Sequence, residues 1–254
     1  MSQRVDGRDD DELRPLSIET GFTDVPDASV LIKMGGTTVL CTASIEERVP
    51  RWMDSPDNDS GWVTAEYSML PGSTSPRFRR EASRGKLKGR THEIQRLIGR
   101  SMRAVTALDE LGPRTVYLDC DVLQADGGTR TASITGAFVA LAQACGELLE
   151  EGVIDSLPFR DTVAAVSCGI VDDRPILDLA YTEDRDADVD MNFVMTGSGR
   201  FVELQGTGEE ATFSQEELDA LTALAHSGID QLTDFQLDAL PNTEAFATLF
   251  GRLP

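Results

Sequence analysis

One stretch narrows the possible folds more than any other. Val116, Leu118, Cys120 and Val122 alternate with Tyr117, Asp119 and Asp121, which predicts a strand with two unlike faces. Ile134, Phe138, Leu141, Cys145 and Leu148 then recur at helical spacing in an Ala/Gly-rich run, which predicts a close-packed helix. Asp126-Gly127-Gly128-Thr129-Arg130-Thr131 joins the two. Paired glycines allow a tight turn with exposed N–H groups. The helix start adds unpaired N–H donors and the positive end of the macrodipole. Arg130 supplies a planar fork matched to phosphate oxygens, and Thr129 and Thr131 supply hydroxyls. The pattern therefore reads either as an anion site or as a plain strand-to-helix turn with a surface arginine.

The 254 residues suffice for a sizeable core, so one large domain or two tightly packed halves are both expected. The sequence predicts no apolar run of membrane-spanning length, and the charged start lacks a secretory apolar stretch. Cys41, Cys120, Cys145 and Cys168 stand apart without a CxxC pair and read as small buried hydrophobes in a reducing, cytoplasmic setting.

The net charge is −21, and only Lys33, Lys86 and Lys88 of the 23 basic residues are lysine. Concentrated salt screens the self-repulsion of such a surface, so a halophilic source is a hypothesis. The sign reverses locally. Between Arg77 and Arg103 ten basic residues, among them Arg79, Arg80, Arg84, Lys86, Lys88 and Arg90, face only Glu81 and Glu93, a local charge of +8. A polyphosphate backbone is the usual reason for such a concentration, and a subunit contact is the competing one.

Along the chain, residues 1–15 read as a polar extended arm, and Ser29 to Ile45 as a hairpin about Gly35-Gly36. Trp62 to Met69 reads as a strand and Pro71 to Pro76 as a loop. Thr91 to Leu111 carries one apolar stripe, predicting a single amphipathic helix ended by Gly112-Pro113, with Arg90 just before its first turn. His92 reads as a surface or capping residue. Strand pairs follow at Thr162 to Tyr181 and Val189 to Thr207, then a helix opened by the capping box Ser214 to Glu217. Strands followed by a helix, twice over, predict an α+β chain of pseudo-duplicated sheet-plus-helix halves. Between strands, Tyr181 to Asn192 crowds carboxylates. Asp184 and Asp190 there can hold Mg²⁺ together with water and substrate oxygens, or they belong to one more acidic loop. No Walker motif is present, and two histidines give little support to a His-pair ribonuclease.

Several ordered words together resemble bacterial ribonuclease PH: Asp6-Gly7-Arg8, Asp11 to Pro15, Thr64 to Pro71, Gly89-Arg90-Thr91, Glu93 to Arg100, Gln124 to Gly136, Val189 to Asn192 and Met195 to Thr212. The resemblance runs from the N-terminus to about residue 240, and 241–254 form a weakly determined tail. It implies the ribosomal protein S5 domain 2-like α+β fold in a single ribonuclease PH domain over 1–254. It also implies a homohexamer built as a trimer of dimers. The implied activity is phosphate-dependent 3′→5′ trimming of tRNA precursors, a nucleotidyltransferase reaction releasing nucleoside diphosphates. Carried over by motif, the phosphate site falls on Arg90, Gly128, Thr129 and Arg130. The catalytic or metal-binding carboxylates fall on Asp184 and Asp190, with Mg²⁺ or another divalent ion, and the RNA-contacting arginines on Arg77 and Arg80. Gly72 departs from the family pattern, which has an arginine after Met69-Leu70-Pro71, so one RNA contact is lost or moves to Arg79. A metal-dependent hydrolytic 3′ exonuclease and a non-catalytic RNA-binding ring subunit are the alternatives.

Overall fold

The computed structural model describes residues 4–208 and 211–251. Glu209 and Glu210, within the last family-like word, and the end of the tail lie outside the described residues. So does the side chain of Arg84 in the basic run.

Alternating apolar residues build the first sheet. Strands β1 (Leu16–Thr20), β2 (Ala28–Met34), β3 (Thr37–Glu46), β4 (Trp62–Met69) and β5 (Thr115–Gln124) lie in the order β1-β2-β3-β5-β4. All neighbours are antiparallel except β4 and β5, which run parallel and are connected through helix α1 (Gly89–Val105). The inward residues of β3, Val39, Cys41 and Ala43, are fully buried, as period-2 patterning requires. The second sheet contains β6 (Val163–Val171), β7 (Arg174–Leu177), β8 (Val189–Thr196) and β9 (Phe201–Gly208), in the order β7-β6-β8-β9 and antiparallel throughout. Helix α3 (Thr129–Glu150) packs on β2, β3 and β5 of the first sheet and on β6 of the second, and α5 (Gln215–Ala239) covers the second sheet. Two sheet-plus-helix halves thus share one apolar core, as the sequence pattern predicts.

Small residues let α3 enter between the layers. A Cβ added to Gly136 would stand 2.8 Å from Ile32 Cγ2 and 2.9 Å from Cys41 Sγ, so only glycine permits this approach. Phe138, fully buried, meets Phe159 edge-on at 5.6 Å and fills the space these small neighbours leave. By length and hydropathy α3 is apolar enough to cross a membrane, against the expectation that no run approaches that length. The apolarity has another cause here, because 83% of that window is buried inside the fold. All four cysteines are free and buried, and burial pushes the Cys145 thiol up to about 12.

Other departures from expectation have local causes. The amphipathic stripe is broken at Thr106 and resumes only as the short α2 (Leu108–Leu111). Thr106 leaves the helix to bridge Phe159, and Ala107 N–H donates to Pro158 O at 2.8 Å, so pairing with the connection between α3 and β6 ends α1 early. Tyr181 closes no strand. It opens a short helix, α4 (Tyr181–Asp186), in which Glu183 accepts the Ala180 N–H at 2.9 Å. Ser214 and Glu217 form the predicted capping box, at 3.2 and 2.6 Å. The weakly determined tail carries α6 (Glu244–Phe250).

Residues 4–14 are not a solvated arm. Arg4, Arg8 and Arg14 are buried, at 5%, 7% and 3% exposure, because their guanidinium groups turn inward onto carboxylates of the second half. Arg4 clasps Glu183 with Nε and Nη2, each at 2.8 Å, and Arg14 clasps Asp178. Burial pushes the Glu183 carboxyl up, but Arg4, the Ala180 N–H and the charge of Arg8 outweigh it and hold it below the ordinary carboxylate range.

Candidate active site

The turn between β5 and α3 has the conformation its glycines predict. Gly127 and Gly128 have φ of 75° and 63°, in the left-handed region that side chains disfavour. Gly128 is the residue preceding the first turn of a 22-residue helix with no acidic residue at its start and no side-chain cap. The helix start is thus uncompensated by the protein and suited to an anion. Thr37 braces the turn from β3: its hydroxyl donates to Gly127 O at 2.6 Å and accepts from Asp126 N at 2.9 Å.

The two threonines part company. Thr131 is fully buried and its hydroxyl donates to Gly128 O at 2.8 Å, so it shapes the turn and offers nothing to a ligand. Thr129 shares a 2.8 Å hydrogen bond with the Tyr67 hydroxyl of β4. Burial pushes the Tyr67 phenol up, while its bond to Thr129 and the positive charges of Arg90 and Arg130 pull the other way. Arg90 lines the same cavity as Tyr67, and Arg130 directly follows Thr129 in α3.

Arg130 lies with its side chain 14% exposed and donates from Nη1 to Glu93 Oε1 of α1 at 3.2 Å and to Gln205 Oε1 of β9. Gln205 pairs with Asn192 of β8, and Asp190 pairs with Thr207. Asp190 and Gln205 are thus diagonal neighbours on one strand face, about 7–8 Å apart by sheet geometry. Through Gln205, Arg130 reaches the face that carries Asp190. Asp184 is exposed on α4, whose first residues follow the segment Leu179–Tyr181 packed against Gly127. Among the described residues no three or more His, Cys, Asp or Glu side chains are grouped to hold a metal ion. Asp184 on α4 and Asp190 on β8 are oxygen donors of the kind that Mg²⁺ takes together with water and substrate oxygens.

Beside Tyr67 opens a cavity of about 400 Å³ lined by Glu66, Tyr67, Phe78, Arg80, Lys88 and Arg90, among others. Arg80 and Arg90 are thereby brought together. Arg77 is exposed and does not line the cavity. Arg90 lies inside the first turn of α1, not before it, and the α1 start is occupied: Glu81 accepts the Lys88 N–H at 3.1 Å and the Thr91 hydroxyl at 2.8 Å. Any anion next to Arg90 therefore meets a side chain and not that helix terminus. Sequence reasoning missed Tyr67, Thr37, Glu93 and Gln205. The alternation of β4 shows that Tyr67 faces inward, but nothing local names Thr129 as its partner.

Residues 12–146 match domain 1 of the 3′ exoribonuclease family and residues 161–228 match its domain 2. The chain is 58% identical over 238 residues to ribonuclease PH of Bacillus subtilis, covering 93% of this chain and 96% of that one. It is 56% identical over 234 residues to ribonuclease PH of Syntrophomonas wolfei, covering 92% and 97%. Its fold superimposes on the Archaeoglobus fulgidus exosome solved with RNA bound to the active site, with a TM-score of 0.76 at 23% identity over 92% of each chain. Fold and these relationships together define a phosphorolytic 3′→5′ exoribonuclease. The chain belongs to the ribonuclease PH family. The hydrolytic and non-catalytic alternatives are set aside with that assignment.

Proposed function

We propose that orthophosphate binds at Gly128, Thr129 and Arg130, with Arg90 closing on it from the opposite side, and that the RNA 3′ end enters along the cavity between β4 and the basic loop. The observation that carries this reading is the uncapped start of α3 at Gly128, with Arg130 in its first turn and Arg90 lining the cavity beside the Tyr67–Thr129 hydrogen bond. Phosphorolysis brings its own nucleophile, so no side chain needs activation. An oxygen of orthophosphate attacks the terminal internucleotide phosphorus, and the bond from that phosphorus to the upstream 3′ oxygen breaks. A nucleoside 5′-diphosphate departs, leaving an RNA one residue shorter with a 3′-hydroxyl. The barrier is the approach of two anions. Arg130, Arg90 and the first N–H groups of α3 neutralise and orient the attacking phosphate.

Asp184 and Asp190 would hold Mg²⁺ or another divalent ion, which supplies charge stabilisation at the scissile phosphate when bound. Arg80 at the cavity and Arg77 on its exposed side would track the RNA backbone. The substrates proposed are tRNA precursors with 3′ tails, and the assembly a homohexamer arranged as a trimer of dimers. Self-association is supported by the open edge strand β9, where Phe201 is 51% and Leu204 46% exposed. A single unit across both halves is supported by their common core. Four free, buried cysteines support a cytoplasmic setting.

The test uses a 3′-tailed tRNA transcript and Mg²⁺, with and without phosphate. Nucleoside diphosphates should appear only when phosphate is present. Release of monophosphates independent of phosphate would overturn the reading.

A further inference from the structure

Beneath the Gly127–Gly128 turn lies an ion pair that the reaction does not use. Asp178 is fully buried and Arg14 is 3% exposed. Asp178 Oδ1 accepts from Arg14 Nη2 at 2.7 Å, and Oδ2 accepts from Nε at 2.9 Å and from the Arg14 backbone N–H at 2.8 Å. A two-pronged fork plus a backbone donor is the arrangement that lets a carboxylate be buried without ruinous desolvation. The remaining guanidinium nitrogen, Nη1, donates to Asp126 O, the carbonyl directly before the turn. Arg14 Nη2 also stands 2.9 Å from where a Cβ on Gly128 would be.

The other side of the turn meets the residues that follow Asp178. A Cβ on Gly127 would stand 2.7 Å from Leu179 O and 2.8 Å from Tyr181 N. Asp178 itself has φ of 53°. A non-glycine residue persists there only when its surroundings over-determine it. They do: its N–H donates to Ser167 O at 2.7 Å, and its carbonyl accepts from Arg4 Nη2 at 3.0 Å and Arg8 Nη2 at 3.1 Å. The N-terminal arginines, the Asp178 corner, the glycine turn and the start of α4 thus form one rigid junction between the two halves.

We propose that Arg14 and Asp178 are a positioning pair that sets the enzyme's affinity for phosphate. The pair fixes the Gly127–Gly128 turn so that the first N–H groups of α3 and the Arg130 fork face the attacking anion. Arg14 is no ligand itself, since its guanidinium is buried and its donors are committed to Asp178 and Asp126. A lysine would keep the charge, but a single ammonium cannot hold both Asp178 oxygens and Asp126 O with the same geometry. Thr37 braces the turn independently through Gly127 O and Asp126 N. The inference rests on the phosphate site proposed above.

Full-length Arg14→Lys and Asp178→Asn are compared with the parent enzyme by initial rates of nucleoside diphosphate release, varying phosphate and RNA separately. The expected result is a KM for phosphate raised about tenfold in each, with kcat at saturating phosphate within about threefold and KM for RNA unchanged, because a displaced turn weakens anion binding without touching the RNA path. Thermal melting checks folding. Asp178→Asn breaks the same fork from its other end, in a residue type that tolerates the φ of 53°, and carries the test if Arg14→Lys does not fold. Folded variants with an unaltered KM for phosphate, or with phosphate and RNA affected equally, would overturn the proposal. Arg130→Lys is measured in parallel. If it leaves phosphate dependence unchanged, the site reading itself fails. If it raises the phosphate KM while the other two do not, only the positioning role fails.

Discussion

The hydroxyl of Tyr67 on β4 lies 2.8 Å from that of Thr129 at the start of α3, and the bond is buried. It fastens a strand lining the cavity to the helix whose N-terminus is proposed to take phosphate. Because burial raises the phenol, Tyr67 stays neutral near physiological pH and serves as a strut, not as an acid or base. Tyr67→Phe should therefore cost about 0.5–1.5 kcal/mol of stability, a loss of a few degrees in melting temperature. The pH profile of activity near neutrality should keep its shape.

Arg130 and Arg90 approach that strut from different helices, and each is assigned charge-assisted contacts to the attacking phosphate. Such contacts contribute roughly 1.5–3 kcal/mol apiece. Arg130→Ala or Arg90→Ala should lower the rate at limiting phosphate by about tenfold to a hundredfold. Full activity of Arg130→Ala at low phosphate would remove the assigned nucleophile site.

Arg77 and Arg80 are proposed for a different duty, contact with the RNA backbone. Arg77→Ala and Arg80→Ala should weaken RNA binding broadly across sequences and reduce the slope of log affinity against log salt by roughly 0.7 each. The KM for phosphate should barely move. Filter-binding titrations at several salt concentrations decide between this and an unchanged slope.

Asp119 and Asp121 are half-buried on the outer face of β5, and Glu66 of β4 stands directly opposite Asp119. Burial first, and Glu66 second, push the Asp119 carboxyl up; burial also raises Asp121, with Arg80 partly opposing. A carboxylate raised in the folded state binds protons more readily there than when unfolded. Its destabilising contribution is absent below the ordinary carboxylate pKa, grows as pH rises through the raised value, and is complete at neutrality. Asp119→Asn should raise the melting temperature at pH 7, and the gain should vanish in acid near pH 3. A gain of equal size at both pH values would refute the electrostatic cause.

The net charge of −21 is the sum of the basic Arg77–Arg103 segment and a strongly acidic remainder. Screening should relieve that remainder. Unfolding in dilute buffer and in molar potassium chloride should show markedly higher stability in salt, and equal midpoints would end the halophilic interpretation.

What the residues determine locally could be read from their order. The paired glycines demand positive φ, the alternation of β4, β5 and β8 follows from the two-residue strand period, and Ser214 with Glu217 caps α5. Arg130 at the helix start and the basic run before α1 are legible for the same reason, since their meaning lies in contiguous chemistry. The end of α1 at Thr106 is not, because its cause is Phe159, far along the chain between α3 and β6. Nor is the burial of Arg4, Arg8 and Arg14: with 44 acidic residues in the chain, nothing local says which carboxylate each guanidinium will meet. Only tertiary structure brings Arg14 to Asp178 and sets both beneath the glycine turn. Periodicity is a property of neighbours in sequence, whereas the partner of a buried charge is chosen by whichever packing excludes water from both at once.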